Sequence, residues 1–426
     1  MAGMSCMPCS ARSIPLSVDS LFRIIDGHSR TLKLKSLYAD GADAGISVAE
    51  SRRLPVVGAS LSVGYLGYGY LTDRDFSGGT GIHNPHSNNN FAIEAMQLVY
   101  DGGAVSGAVR MAELKAHLSR IDLEQSRQQV RILLLGWLVD MQCVHNRRGV
   151  LDENISLARR VLDDMKARYS EGVVLHNDIT RYELYLQELE LQRDKLCEQL
   201  KTINYKLANA LGFPGYDTEF IPSLRLGNDA FSLQPEHNWQ ETALMSNLLL
   251  KKASLAVDMS KTDRKIISAG MRPKLSLFAY GRFDSPIVIE VPVLNKNFMY
   301  WGAGLNVSFD LSSFYTTKRR VRRADIGVRE SMAAYETSAE TVRNDVREAY
   351  AAYNVALKEL ATKEKSLQLA RQNYDVVNRR YAAGLALVTE MLDAANVKLS
   401  SETDRENAAM ALLFSCYRLK YITNTL

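Results

Sequence analysis

The sequence predicts a mainly α fold with a small β part, built as an internal two-fold repeat of long antiparallel helical hairpins. Three observations predict it. First, Arg168-Tyr169-Ser170-Glu171-Gly172-Val173-Val174-Leu175 returns 212 residues later as Arg380-Tyr381-Ala382-Ala383-Gly384-Leu385-Ala386-Leu387. The same offset, without a gap, pairs Val109 with Val321, Arg131 with Arg343, Ala158 with Ala370, Arg193 with Arg405 and Leu207 with Leu419. Long helices impose such spacing, because one inserted residue rotates every later side chain by about 100°. Second, the apolar period switches from about 3.6 to about 2 at two places. Third, Ala104 to about Tyr169 and Tyr315 to about Tyr381 contain no Pro and few Gly.

Taken in order, residues 1–14 read as a leader or signal-peptide remnant that carries Cys6-x-x-Cys9. The first repeat is expected over 15–212. Ser17 can cap a helix that runs to about Arg53. Val57–Tyr70 and Phe91–Tyr100 alternate small or polar with apolar residues, so a β-hairpin is expected over 56–100. A long helical hairpin follows over 104–211, its two helices joined at the Tyr-x-x-Gly turn. Gly172 and Gly384 suit a helix C-terminus that needs positive φ, and Asp178 and Glu390 suit the first turn of the next helix. Residues 213–235, rich in Gly and Pro, read as a linker or equatorial segment. The second repeat, 236–426, repeats the plan with a helix, a β-hairpin over 273–310 and a helical hairpin over 314–425. At 1.5 Å per residue the longest helices reach about 100 Å.

Composition excludes several classes. Fifty-two basic and 48 acidic residues leave a net charge of +4, so no nucleic-acid partner is expected. Cys143, Cys197 and Cys416 stand singly in helical patterns and imply no disulfide framework. No run of 18 apolar residues exists, so no transmembrane helix is expected. No Ser-His-Asp, Cys-His or paired-acid constellation appears; no catalysis, cofactor or metal is expected, and His83-x-x-His86 reads as a solvated pair in an Asn-rich loop. The basic run Lys318–Arg323 follows the last strand and suits phosphate head groups, an anionic solute or, equally, a solvated patch.

Strands of this length can cross a bilayer, which takes about 9–11 tilted residues each. Four strands cannot close a membrane barrel, because open edges in lipid leave backbone groups unpaired and bacterial barrels start at about 8 strands. An oligomer must therefore pool them. Tyr65, Tyr68, Tyr70, Phe283, Phe298, Tyr300 and Trp301 cluster near the loop-side strand ends, where a membrane aromatic girdle would sit. The alternative is a soluble or periplasmic coiled-coil scaffold without channel activity.

The duplicated order of strand, strand, long helix, turn and helix resembles the outer membrane factor (TolC) family. The resemblance is carried by Arg380-Tyr381-Ala382-Ala383-Gly384 and Val388-Thr389-Glu390-Met391-Leu392-Asp393-Ala394-Ala395, and by Arg168–Gly172 with Asn177-Asp178-Ile179 in the first copy. Pro15-Leu16-Ser17-Val18-Asp19 is similar to the family's mature N-terminus, and Arg53-Leu54-Pro55 and Arg272-Pro273-Lys274-Leu275 to its strand entries. The resemblance covers about residues 15–426. It implies a homotrimer whose twelve pooled strands form a β-barrel among the lipids of the bacterial outer membrane, with the helices forming an α-barrel tunnel in the periplasm. It implies an exit duct for a tripartite efflux or type I secretion system, driven by an inner-membrane pump. Tyr169, Gly172, Val173, Leu175, Tyr381, Gly384, Leu385 and Leu387 would dock a periplasmic adaptor protein. Asp178, Arg181, Glu390 and Asp393 would gate the pore constriction. Arg181 stands where the second copy has Asp393, so a salt link between copies is expected to hold the tip closed.

Overall fold

The computed structural model describes residues 12–213, 218–227, 234–288, 290 and 293–426. Cys6 and Cys9 lie outside the described residues. The elements run β1 (Arg12–Leu16), α1 (Val18–His28), α2 (Arg30–Glu50), β2 (Val56–Tyr65), β3 (Gly69–Leu71), β4 (Thr80–Ile82), β5 (Ser87–Tyr100), α3 (Ala104–Ser170), α4 (His176–Ala210), β6 (Thr218–Pro222), α5 (Glu236–Ser246), α6 (Leu248–Ala269), β7 (Lys274–Ser285), β8 (Phe298–Ser308), α7 (Ser313–Ala382) and α8 (Val388–Ile422). The fold is mainly α with a small β part. The 212-residue offset of the sequence is also an offset of structure. Ser170 and Ala382 end the long helices, His176 and Val388 start the return helices, and Ala210 and Ile422 end them.

The chain forms two compact units. The first comprises Met1–Tyr38, Arg120–Lys252 and Glu336–Leu426. Its long helices bury heptad stripes. Leu151, Ile155, Ala158, Leu162 and Met165 of α3 alternate spacings of four and three, as do Val342, Val346, Ala349, Tyr353, Ala356 and Leu360 of α7, and all are buried. A 3.5-residue period keeps one stripe against neighbouring helices and gives coiled-coil packing. Truncating one of these leucines to Ala costs about 2–5 kcal/mol.

Ser17 caps α1 as expected. It forms a reciprocal capping box in which the Ser20 amide donates to Ser17 Oγ at 3.3 Å and the Ser17 amide to Ser20 Oγ at 2.8 Å. Beside it lies an element absent from the sequence reading. β1 pairs in parallel with β6, Leu16 opposite Pro222. β1 begins inside the expected leader and β6 inside the expected linker. Asn204 of α4 braces β6, its Nδ2 donating to the Thr218 carbonyl and its Oδ1 accepting the Phe220 amide, each at 2.8 Å. Phe220 and Leu16 are buried as a result.

The second unit comprises Ala39–Ser119 and Ala253–Tyr335. It holds a four-stranded antiparallel sheet in the order β2-β5-β7-β8. The two hairpins of the repeat are therefore joined through β5 and β7, leaving β2 and β8 as edges. The expected strand Val57–Tyr70 stops at Tyr65, and Tyr70 belongs to the small hairpin β3-β4.

Candidate functional site

The repeated turns are built alike. Both glycines take positive φ, 77° at Gly172 and 72° at Gly384. The Gly172 amide donates to the Tyr169 carbonyl and the Val173 amide to the Arg168 carbonyl, each at 3.0 Å. In the second copy Gly384 donates to Tyr381 at 3.0 Å and Leu385 to Arg380 at 2.8 Å. These are the paired bonds of a Schellman motif, which reverses the chain in few residues and satisfies the last helix carbonyls. Each turn then presents two apolar side chains to solvent: Val173 and Leu175 at 68% and 71% exposure, Leu385 and Leu387 at 71% and 69%. Leu175 and Leu387 occupy the N-cap positions of α4 and α8.

The polar groups of the two turns diverge. Arg168 reaches across, its Nη1 donating to the Ala382 carbonyl at 2.9 Å. Its counterpart Arg380 stays at home, donating to the Leu385 carbonyl at 3.1 Å and standing 3.5 Å from Glu390. Tyr169 is exposed with its ring 5.8 Å from His176, whereas the Tyr381 hydroxyl is buried with no hydrogen-bond partner among the described residues. Burial raises the Tyr381 pKa; Arg168 opposes this, and Asp178 and Asp164 add to it. Behind it Tyr182 and Tyr185 are held protonated, Tyr185 pushed up to about 12, mainly by burial.

The expected link between Arg181 and Asp393 does not form within the chain. Both are exposed, and no ion pair among the described residues joins them; Glu390 instead has Arg380 of its own copy at 3.5 Å, an exposed and therefore weak pair. Arg181 and Asp393, equivalent positions of the repeat, are both exposed, so these two charges remain open to solvent or another subunit.

A clamp escaped the sequence reading. Glu402 of α8 is buried, accepts from Arg371 of α7 at 3.1 Å and Asn154 of α3 at 3.2 Å, and has Lys398 at 4.0 Å. One carboxylate thus ties three helices. Glu402→Ala removes the acceptor of Arg371 and one of the two acceptors of the Asn154 amide, which keeps the Val150 carbonyl at 2.8 Å. It is expected to lower unfolding free energy by about 1–3 kcal/mol, the range for hydrogen bonds to a charged group. Glu402→Gln keeps an acceptor and should cost less, a ranking read from thermal unfolding in detergent.

The sheet has two unlike faces. Partners directly opposite in register share a face. The rows Leu61-Phe91-Phe283-Met299, Ala59-Ile93-Gly281-Trp301 and Val57-Ala95-Ala279-Ala303 form an apolar face. Much of it is bare in the single chain, with Met299 and Trp301 each 83% exposed. The other face carries Ser60-Ala92-Arg282-Tyr300, Ser62-Asn90-Asp284-Phe298 and Gly58-Glu94-Tyr280-Gly302. Here Arg282 pairs with Glu94 at 2.6 Å, and Asp284 accepts from Asn90 at 2.9 Å and from Tyr300 at 3.0 Å. The Tyr280 ring lies over Gly302, where a Cβ would come within 2.7 Å of it.

This parity divides the expected girdle. Tyr65, Phe283 and Trp301 belong to the apolar face. Phe298 and Tyr300 belong to the polar one, because their register partners are Asp284 and Arg282. Tyr68 lies beyond β2, its ring 5.2 Å from His83 and 5.3 Å from His86, and Tyr65 stacks on His86 at 5.0 Å. The histidine pair is thus packed among tyrosines. No helix among the described residues is long and apolar enough to cross a membrane, and none of their His, Cys, Asp and Glu side chains cluster by threes as a metal site would need.

This architecture is that of the outer-membrane efflux channels. VceC of Vibrio cholerae superimposes with a TM-score of 0.77 at 14% identity, over 95% of this chain and 95% of its own. CmeC of Campylobacter jejuni, an outer membrane channel, gives 0.76 at 14% identity over 96% and 85%, and CusC gives 0.79 at 12% identity over 96% and 92%. Residues 239–424 match the family model described as outer membrane efflux protein. The resemblance carried by the repeated turns therefore holds. Among curated proteins, the chain is 27% identical over 146 residues to the chloroplastic thylakoid lumenal 16.5 kDa protein of Arabidopsis thaliana, spanning 32% of this chain and 65%, just under two thirds, of that protein's length.

Proposed function

We propose that the protein is the outer-membrane exit duct of a tripartite efflux or type I secretion system. In this reading three copies pool their sheets into a twelve-stranded barrel and conduct substrates passively, without catalysis. The observation that carries it is the two-faced sheet with unpaired edges at β2 and β8. An apolar face this bare is costly in water, at about 25 cal/mol per Å², and suits lipid, while the face with Glu94, Arg282 and Asp284 suits an aqueous lumen. Tyr65, Phe283 and Trp301 would meet the lipid interface, and Phe298 and Tyr300 the lumen. The exposed apolar pairs Val173, Leu175 and Leu385, Leu387, set on turns with Tyr169, Gly172, Tyr381 and Gly384, suit docking of a periplasmic adaptor working with an inner-membrane pump.

The purified protein is expected to insert into planar bilayers as a trimer with a stable conductance. A soluble monomer without conductance would instead support the scaffold reading. Around a three-fold axis, Glu390 and Asp393 would place six carboxylates in a narrow pore beside Asp178 and Arg181, favouring cations. Removing them as Asp393→Ala with Glu390→Ala is expected to raise single-channel conductance and lower cation preference; unchanged values would sink the gating role.

A further inference from the structure

The basic run on α7 faces a cavity. Arg319, Arg320 and Arg323 share one side of the helix with Ala324 and Gly327, and with Met111 of α3 and Met259, Ser260, Asp263 and Ile267 of α6 they line a groove of about 670 Å³. That volume lies within the range of roughly 300–1,000 Å³ typical of small-molecule sites. All of these residues belong to the second unit, together with the sheet. The space beside Gly327 is open, since a Cβ there would meet nothing within 4 Å.

The charge in the groove is left unneutralised. Arg319, Arg320 and Arg323 are exposed and make no ion pair among the described residues, although Arg320 acts electrostatically on Asp310. The nearby pair Arg264 and Asp325 is already satisfied. Asp263 is the single carboxylate in the wall, against three guanidiniums. The floor is different in kind: Met111, Met259 and Ile267 are apolar, and methionine adapts to irregular hydrocarbon. Arginine forks match phosphate oxygens in pairs.

The position is equally specific. Arg319 and Arg323 lie six and ten residues into α7, about 9–15 Å along the helix from its start. α7 follows β8, and Arg52, Arg53, Arg272 and Lys274 stand at the same, helix-side ends of β2 and β7. This end of the sheet thus carries four cations, together with Asp101 after β5 and Asp310 after β8.

We propose that this groove binds an anionic amphiphile, its phosphate held by Arg319, Arg320 and Arg323 and its hydrocarbon chain laid along Met111, Met259 and Ile267. A phospholipid of the leaflet facing the helices supplies this chemistry. The inference rests on the outer-membrane reading for the source of lipid, but its test in detergent micelles is independent of conductance, so either can fail alone.

The test compares phosphatidylglycerol with phosphatidylcholine on the full chain in a non-ionic detergent, with retained lipid counted by native mass spectrometry. The wild type is expected to prefer phosphatidylglycerol. The variant Arg319→Gln/Arg320→Gln/Arg323→Gln is expected to reduce that preference at least about tenfold, given roughly fivefold per basic residue at an anionic surface. Gly327→Leu, which fills the groove without changing charge, should weaken retention comparably. Lys318→Gln/Arg322→Gln, outside the groove lining, should keep the preference, and millimolar inorganic phosphate should not displace the lipid. Equal retention of both lipids, full retention by the triple variant or by Gly327→Leu, loss in the off-groove variant equal to that of the triple, or displacement by inorganic phosphate would each overturn the assignment. Elution and circular dichroism matching the wild type qualify each variant for the comparison.

Discussion

Ile93→Arg is expected to abolish stable membrane assembly, whereas Ser60→Arg should be tolerated. Ile93 sits near the middle of β5 in the apolar row with Ala59, Gly281 and Trp301. An arginine at the midplane of a barrel's lipid face costs about 2–4 kcal/mol. Three copies multiply that to about 6–12 kcal/mol per trimer, comparable with the whole stability of an ordinary domain. Ser60 lies one residue from Ala59 on the same strand, but its row leads through Ala92 to Arg282 and Tyr300, and a lumenal arginine remains hydrated. The pair changes the same charge in the same sheet and differs only in parity. Flotation with lipid vesicles and survival of the trimer in mild detergent give the readout. The scaffold reading predicts the reverse ranking, because an arginine on a bare apolar face would only improve solubility. Equal behaviour of the two variants would remove the lipid assignment of this face.

Parity also marks the limit of what the sequence made legible. The alternation of Val57 to Tyr65 announced a strand with two different faces, and Gly172 and Gly384 announced turns with positive φ, because both signals are local. Grouping Tyr65, Phe298, Tyr300 and Trp301 by nearness along the chain did not use the two-residue period, and the register then divides them between the two faces of the sheet. The pairing of β1 with β6 left no such trace: five-residue strands are too short to show a period, and about 200 residues separate them. The clamp at Glu402 was hidden likewise. A glutamate on a polar helix looks solvated until Asn154 and Arg371 arrive from other helices. The divergence of Arg168 from Arg380 is a third case, in which identical motifs acquire different partners because the surroundings of the two copies differ.

Gly384→Val is expected to reduce docking of the proposed adaptor by at least tenfold while Gly384→Asn largely preserves it. No neighbour crowds the site, since a Cβ at Gly384 would meet nothing within 4 Å. The penalty is therefore one of backbone alone. At φ 72° an L-residue pays about 1–2 kcal/mol, more when β-branched, and Asn is among the residues that tolerate this region best. Valine would relieve the strain by abandoning positive φ, which breaks the bonds from Gly384 to Tyr381 and from Leu385 to Arg380 and re-aims Leu385 and Leu387. It would also displace Ala382, the acceptor of Arg168, so the disturbance reaches the first copy. The buried stripe behind the turn, with Tyr374, Val377, Val388 and Met391, stays intact and should keep the trimer assembled. Adaptor capture and substrate export should thus fall in Gly384→Val with little change in trimer yield. Gly172→Val, with the same geometry at φ 77°, should do the same, and the double variant should be no worse than the sum if the two turns contact separate adaptor surfaces. Undiminished capture by Gly384→Val would place the docking surface elsewhere, because the turn cannot keep both its conformation and a β-branched residue at this position.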